Sequence, residues 1–106
     1  MAAYRVCVAD DCLEAAAVLV ENLKVNDYDV FAVQTGAEAL DACRAQRCDL
    51  ILLDVNLPDV EGYEVCRQLK DDPATRDIMV VFITVKNSEA DVQRGYDLGA
   101  VDYIAK

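Results

Sequence analysis

The side chains that could do chemistry together are the adjacent pair Asp10-Asp11, then Asp54, Thr84 and Lys106. Three carboxylates within about 5 Å of one another repel by roughly 3 kcal/mol per pair at an effective dielectric of 20. Such a cluster is tolerable only with a cation or a raised pKa. An all-oxygen site with few carboxylates, left partly hydrated, suits Mg²⁺ and leaves room for a phosphoryl oxygen. Lys106 would offer that group a point positive charge, and Thr84 a hydroxyl donor. Asp54 would then be the residue phosphorylated, since a metal-oriented carboxylate attacking phosphorus in line forms an aspartyl phosphate. That is the only covalent intermediate these residue types readily support. Each residue alone has an ordinary reading: Asp10-Asp11 as a helix N-cap with a favourable dipole charge, Asp54 as an N-cap or turn residue, Thr84 as a strand end. The cluster has meaning only if the chain brings its members together.

The elements that would do so can be read in order. Tyr4–Ala9 is rich in β-branched and apolar residues and reads as a strand running into Asp10-Asp11. From Cys12 to about Asn26, Leu13, Ala16, Ala17, Val20 and Leu23 recur with helical spacing. Val30–Val33 reads as a second strand. Thr35 and Glu38 match a capping box that opens a helix carrying Ala39, Leu40 and Cys43 to about Arg47. Leu50–Leu53 is an apolar run too short for a helix, a strand buried on both faces that delivers Asp54 at its end. Pro58 and Gly62 mark loop, and a helix follows from about Gly62 to Lys70 with Tyr63, Val65, Cys66 and Leu69 as its apolar stripe. Asp71-Asp72-Pro73 ends that helix. Ile78–Ile83 is a fourth strand ending at Thr84, Ser88 caps a helix from about Glu89 to Leu98, and Gly99 sits at its C′ position. Val101–Ile104 is a short fifth strand before Lys106.

Strand–helix alternation of this kind predicts an α/β fold: a flavodoxin-like, doubly wound parallel sheet of five strands in the order 2-1-3-4-5, with helices on both faces. That order sets the first and third strands side by side at the switch point. Asp10, Asp11 and Asp54 then converge at one sheet edge, flanked by Thr84 and Lys106.

Composition narrows the function classes. With 106 residues, 55% hydrophobic and 28% charged, residues 1–106 read as one folded domain. A net charge of −10 argues against nucleic acid or an anionic membrane as a direct partner. No apolar run approaches the ~20 residues that span a bilayer, and the start Met1-Ala2-Ala3-Tyr4-Arg5 lacks signal-peptide architecture. The five cysteines form no C-x-x-C pair, and there is no histidine, which disfavours a zinc site and removes any nucleophile–histidine pair. They read as reduced thiols of a cytoplasmic protein, mostly core residues.

With these residues in place the chain resembles the CheY-like receiver domain of two-component response regulators, from about Tyr4 to Lys106. The resemblance is carried by Asp10-Asp11, the Leu-Leu-Asp54-x-Asn-Leu-Pro58 run, Gly62, Thr84, Gly99-Ala100, and Tyr103 three residues before Lys106. It implies a phosphorylation-dependent signalling switch and not an enzyme in the ordinary sense. Asp54 is then the phosphoacceptor, with Mg²⁺ held by Asp11, Asp54 and the backbone carbonyl of Asn56, and Asp10 assisting through water. Thr84 and Tyr103 form the switch pair, the Thr84 hydroxyl moving to the phosphoryl oxygen and the Tyr103 ring rotating inward, and Lys106 binds the phosphoryl group. The implied donor is a histidine kinase or phosphotransfer protein, and the implied readout an output domain in the full-length protein. The side chains of Asn56 and Lys86 would tune the lifetime of the phosphorylated state.

Two departures stand out. The residue after Thr84, usually very small in this family, is Val85, which would crowd the approach of donor or partner. The family also continues past the matching lysine into a proline and a fifth helix, absent from this chain. That predicts a loosely fixed Lys106, an apolar sheet face uncovered beside the first helix, and self-association as a homodimer as one outcome. Other readings remain beside the switch. One is a receiver-like docking module that works without phosphorylation. Another is a Mg²⁺-dependent phosphohydrolase of the haloacid-dehalogenase kind, whose second aspartate is here Asn56. A flavodoxin-like flavin binder is a third, opposed by the acidic loop at Asp10-Asp11.

Overall fold

Alternating two-residue and 3.6-residue periodicities fix the element order. The strands and helices are β1 (Arg5–Ala9), α1 (Leu13–Val25), β2 (Asp29–Val33), α2 (Gly36–Ala45), β3 (Leu50–Leu53), α3 (Gly62–Asp71), β4 (Met79–Thr84), α4 (Glu89–Asp97) and β5 (Asp102–Ala105). The computed structural model describes residues 4–106, so the part of the N-terminal reading that falls on residues 1–3 lies outside the described residues. All strands are parallel and the order is β2-β1-β3-β4-β5, as the alternation predicts. The chain winds outward from β1 to β2 and then crosses back to β3. The C-terminal ends of β1 and β3 therefore border the crevice where ligands of such sheets bind.

The two faces of the sheet are unequal. One carries Cys7, Ala9, Ile51, Leu53, Val80 and Phe82, all fully buried beneath Leu40 and Cys43 of α2 and Val65, Cys66 and Leu69 of α3. Full burial of a side chain of this size contributes about 1.5–3 kcal/mol, so this face dominates stability. On the other face Val6, Val8 and Val30 pack against α1, through Ala16 with Leu19, Val20 and Leu23 at its edge, and beside Leu50 and Leu52 of β3. The same row continues from Val6 through Leu50 to Met79 by strand register, and cover falls off along it: Leu50 is half-buried and Met79 is exposed. Ile104, in register with Ile83, is likewise exposed.

Helix ends follow local chemistry. The Thr35 hydroxyl accepts from Glu38 N, while the Glu38 carboxylate reaches back to Gln34 N and the Thr35 hydroxyl and not to Thr35 N. Ser88 and Asp91 form the full reciprocal capping box of α4. Gly99 has φ +103°, the left-handed conformation that favours glycine just past a helix. Several expectations shift. In α1, Leu13 and Ala17 face solvent and Leu19 takes the inward place, because the buried stripe runs 16, 19, 20, 23 and Leu13 is only the first helical residue. β5 begins and ends one residue later than its apolar run suggests, since Asp102 pairs with Val81 in the ladder. Four cysteines are buried, Cys12 is exposed, and all five are free thiols; burial pushes Cys66 up to about 11, which keeps it unreactive.

Candidate functional site

The ladder extends one residue beyond the strands, and that extension fixes the acidic site. Asp10 N donates to Val33 O at 3.1 Å, Asp54 N to Ala9 O at 3.0 Å and Lys106 N to Thr84 O at 2.9 Å. Asp10 and Asp54 thus leave adjacent strands at the same height. Their carboxylates and that of Asp11 have oxygens within 4.8 Å of one another, Asp10 and Asp54 buried and Asp11 exposed.

Two buried carboxylates at that separation need compensation, and Lys106 supplies it. Its Nζ lies 2.8 Å from Asp10 Oδ2 and 2.7 Å from Asp54 Oδ2, with the side chain a quarter exposed. The remaining oxygens are occupied by backbone donors: Cys12 N to Asp10 Oδ1 at 2.9 Å and Asn56 N to Asp54 Oδ1 at 3.1 Å. Asp10 therefore caps its own loop in an Asx turn and does not act as the N-cap of α1, a position held by Cys12 without a side-chain bond. Burial alone would lower the Lys106 pKa, but hydrogen bonds to Asp10 and Asp54 outweigh it and hold the ammonium above its usual range. The sequence reading of a loosely fixed Lys106 is corrected, since a ladder bond and two charge-assisted bonds hold it.

Gly62 underlies the same corner. Its N–H donates to Val55 O at 2.8 Å, and a Cβ at this position would stand 2.2 Å from the backbone oxygen of Asp54. Only glycine lets α3 start this close to the acid. Asp59, in the loop between Asp54 and Gly62, lends its carboxylate to the first N–H groups of α2, Gly36 at 2.8 Å and Ala37 at 2.9 Å. Those bonds hold its pKa below the usual carboxylate range. Sequence reasoning missed this cap because nothing local pairs residues 23 positions apart.

The Thr84 and Tyr103 hydroxyls are bonded to groups other than the acids. Thr84 ends β4 fully buried, its hydroxyl accepting from Lys86 N at 3.2 Å. Tyr103 is in register with Phe82, half-buried, and its hydroxyl donates to Lys86 O and lies 2.9 Å from the Tyr63 hydroxyl. Burial and the Tyr63 hydrogen bond push the Tyr103 phenol above its usual range. Tyr63 was legible only as a core aromatic of α3; the rule that a buried tyrosine hydroxyl finds a partner was the available signal. Val85 beside Thr84 is exposed on the β4–α4 loop. Asp71 and Asp72 pair with Arg67 and Arg44 at the surface.

The site fits a hard divalent cation: oxygen donors only, two of the three carboxylates fixed by backbone and lysine bonds, the third open to solvent. Among the described residues this is also the one cluster of metal-ligating side chains with such spacing.

Comparison with known proteins gives a consistent picture. The response regulator receiver domain family matches residues 6–106. The response regulator PleD of Caulobacter vibrioides is 39% identical over 102 residues, 96% of this chain and 22% of that protein. The Mn²⁺-bound response regulator Rcp1 superposes with a TM-score of 0.90 at 29% identity, over 97% of this chain and 81% of that one. The phosphorylated cyanobacterial phytochrome response regulator RcpA superposes with a TM-score of 0.86 at 34% identity, over 99% and 81%. The chain spans only about a fifth of the length of the curated relatives it matches.

Proposed function

The chain belongs to the response regulator receiver domain family, and from that membership we propose that residues 1–106 act as one phosphorylation-dependent switch with Asp54 as the phosphoacceptor. The observation that carries the reading is the pairing of buried Asp54 and Asp10 through Lys106 beside the exposed Asp11, at the crevice between β1 and β3. As a receiver, the domain serves two-component signalling; the residue roles are the proposal.

A carboxylate oxygen of Asp54 attacks the phosphorus of a phosphohistidine on a kinase or phosphotransfer partner. The new O–P bond forms as the P–N bond breaks, and the imidazole leaves. Asp11, Asp54 and the carbonyl of Asn56 would hold Mg²⁺, with Asp10 behind them. Bound there, the ion would supply neutralisation of charge on the phosphoryl oxygens. The 2.7 Å bond from Lys106 to Asp54 supports a phosphoryl-binding role for Lys106, since its ammonium is within reach of an oxygen added to that carboxylate. The same pairing of Lys106 with Asp10 keeps the corner tolerable while a further negative charge is added.

The readout runs through Lys86. Its N–H bonds Thr84 and its carbonyl accepts from Tyr103, so a Thr84 hydroxyl drawn toward a phosphoryl oxygen gives up the Lys86 bond and perturbs the Tyr103 contact. Exposed Val85 borders that path and narrows the approach of a donor. An output domain elsewhere in the full-length protein would read the change at α4 and β5. The partly covered face with Met79 and Ile104 is where self-association would occur. Among the described residues no helix is long and apolar enough to cross a membrane.

Incubation with acetyl phosphate and Mg²⁺, read by intact mass beside Asp54→Asn, tests the proposal. A gain of one phosphoryl group in the wild type alone is expected. No gain in either protein would favour a docking module that works without phosphorylation, and steady turnover of small phosphoesters would favour a phosphohydrolase.

A further inference from the structure

Tyr103 is held by contacts that owe nothing to the acidic site. Its hydroxyl donates to Lys86 O and lies 2.9 Å from the Tyr63 hydroxyl, which in turn donates to Asp91 O at 3.1 Å, so two phenol protons serve three contacts and one of them is shared between the rings. Tyr63 is fully buried near the start of α3 and cannot turn away. Phe82 fills the space between the rings, its centroid 5.3 Å from that of Tyr63 and 5.5 Å from that of Tyr103. Such edge and tilted pairs are favourable beyond their buried area. The Tyr103 ring also rests on α4 at Gly95, where a Cβ would stand 2.7 Å from Tyr103 Cδ2 and 3.1 Å from Phe82 Cδ2. The Arg94 guanidinium covers the Tyr63 ring at 4.3 Å and pairs with Glu61 at 3.4 Å.

We propose that Tyr63 is a positioning residue that latches Tyr103 inward, so that the inward rotamer is populated whether or not Asp54 carries a phosphoryl group. The proposal rests on the reading of Tyr103 as the switch residue. Of the two anchors on the Tyr103 hydroxyl, Lys86 O belongs to the loop that Thr84 holds, whereas Tyr63 belongs to rigid α3. Loss of the Thr84–Lys86 bond therefore leaves the Tyr63 anchor in place. Phosphorylation would then alter the β4–α4 loop more than the ring, and a partner would read the loop and α4. Removing the Tyr63 hydroxyl restores a ring whose position follows Asp54.

Fluorine NMR of protein labelled with 3-fluorotyrosine tests this, with the Tyr103 resonance assigned by Tyr103→Phe. A soluble gadolinium chelate reports ring exposure. Without phosphodonor, Tyr63→Phe should raise the exposed population of Tyr103 about five-fold, the change one neutral hydrogen bond produces. Gly95→Ala supplies the signal of a displaced ring. Protection of Tyr103 unchanged in Tyr63→Phe, whatever Gly95→Ala does, would overturn the latch. The wild type gives a second reading that needs no folded variant. The latch predicts Tyr63 and Tyr103 hydroxyl protons that exchange slowly enough to be observed, and hydroxyls exchanging as freely as an exposed phenol would overturn it. Neither measurement uses a phosphodonor, so failure of Asp54 to accept a phosphoryl group would leave both readings intact.

Discussion

Replacing Gly62 by alanine should damage both stability and the site, and the size of the effect follows from one contact. The added Cβ would lie 2.2 Å from Asp54 O and 3.0 Å from Val55 Cα, both backbone atoms with no rotamer to yield. Relief from 2.2 Å to the 3.4 Å of ordinary contact requires a shift of about 1.2 Å in a segment tied to Ala9 O and Gly62 N. Overpacking typically costs about 1–3 kcal/mol, and the Gly62–Val55 hydrogen bond lost in the shift adds about 1. The helix propensity gained with alanine, at most ~1 kcal/mol, offsets part of it. These contributions sum to about 1–4 kcal/mol, and contact with unyielding backbone puts overpacking at its upper end, so the net expectation is a loss of about 3 kcal/mol, a fall in Tm of roughly 12–24 °C for a domain of this size. Gly95→Ala is the matched control: its clash, at 2.7 Å, is with a Tyr103 ring that can rotate, and the same helix propensity acts mid-helix. Displacing the ring gives up hydroxyl contacts worth about 1 kcal/mol each, which the gained propensity partly offsets, so the net cost should be about 1 kcal/mol. Thermal and urea unfolding of the two variants decide the matter. A Gly62→Ala protein within about 1 kcal/mol of wild type, or one more stable than Gly95→Ala, would refute the packing argument.

Further outcomes follow from the same geometry. Asp59→Asn should lower Tm at neutral pH by removing the charge on the α2 N-terminus. Because the folded pKa of Asp59 is depressed, its contribution is present above the ordinary aspartate range and lost as pH falls through the folded value. The Tm gap to wild type should therefore close in acid, and a pH-independent gap would contradict the cap. Lys106 has a raised folded pKa, so its pairing stabilises below the ordinary lysine range and is lost as pH rises through the higher folded value. Lys106→Gln should be less stable than wild type at neutral pH, converge with it in strong base, and recover stability with added Mg²⁺; calorimetry at several pH values checks all three. Ser88→Ala removes the reciprocal capping box of α4 and should cost about 1 kcal/mol in urea unfolding, leaving the α1 end of the molecule unaffected in hydrogen exchange.

The sheet order and the convergence of Asp10, Asp11 and Asp54 were legible because both are carried by short apolar runs ending in acids, a local pattern with one compact solution. The caps at Thr35 and Ser88 and the C′ glycine at Gly99 were legible for the same reason, as each lies within three residues of its partner or at the helix end it closes. Contacts across the fold were not. The Asp59 cap joins residues far apart in sequence, and the Tyr63–Tyr103 pair joins α3 to β5 across 40 positions. Periodicity classes both tyrosines by face and says nothing of where a hydroxyl ends. Lys106 shows the limit from the other side. Its position in sequence suggested a loose residue, yet two buried carboxylates and a ladder bond fix it, because their charge has nowhere else to go. Leu13 misled by type: an apolar first residue of a helix carries the right spacing without the right depth.

If Asp54 is the acceptor, the most direct measurement locates the phosphoryl mark. Wild-type protein treated with acetyl phosphate and Mg²⁺, reduced with borohydride and digested, should yield homoserine at position 54 and at no other aspartate. Reduction at Asp10 or Asp11, or no homoserine in protein shown by intact mass to carry a phosphoryl group, would contradict it.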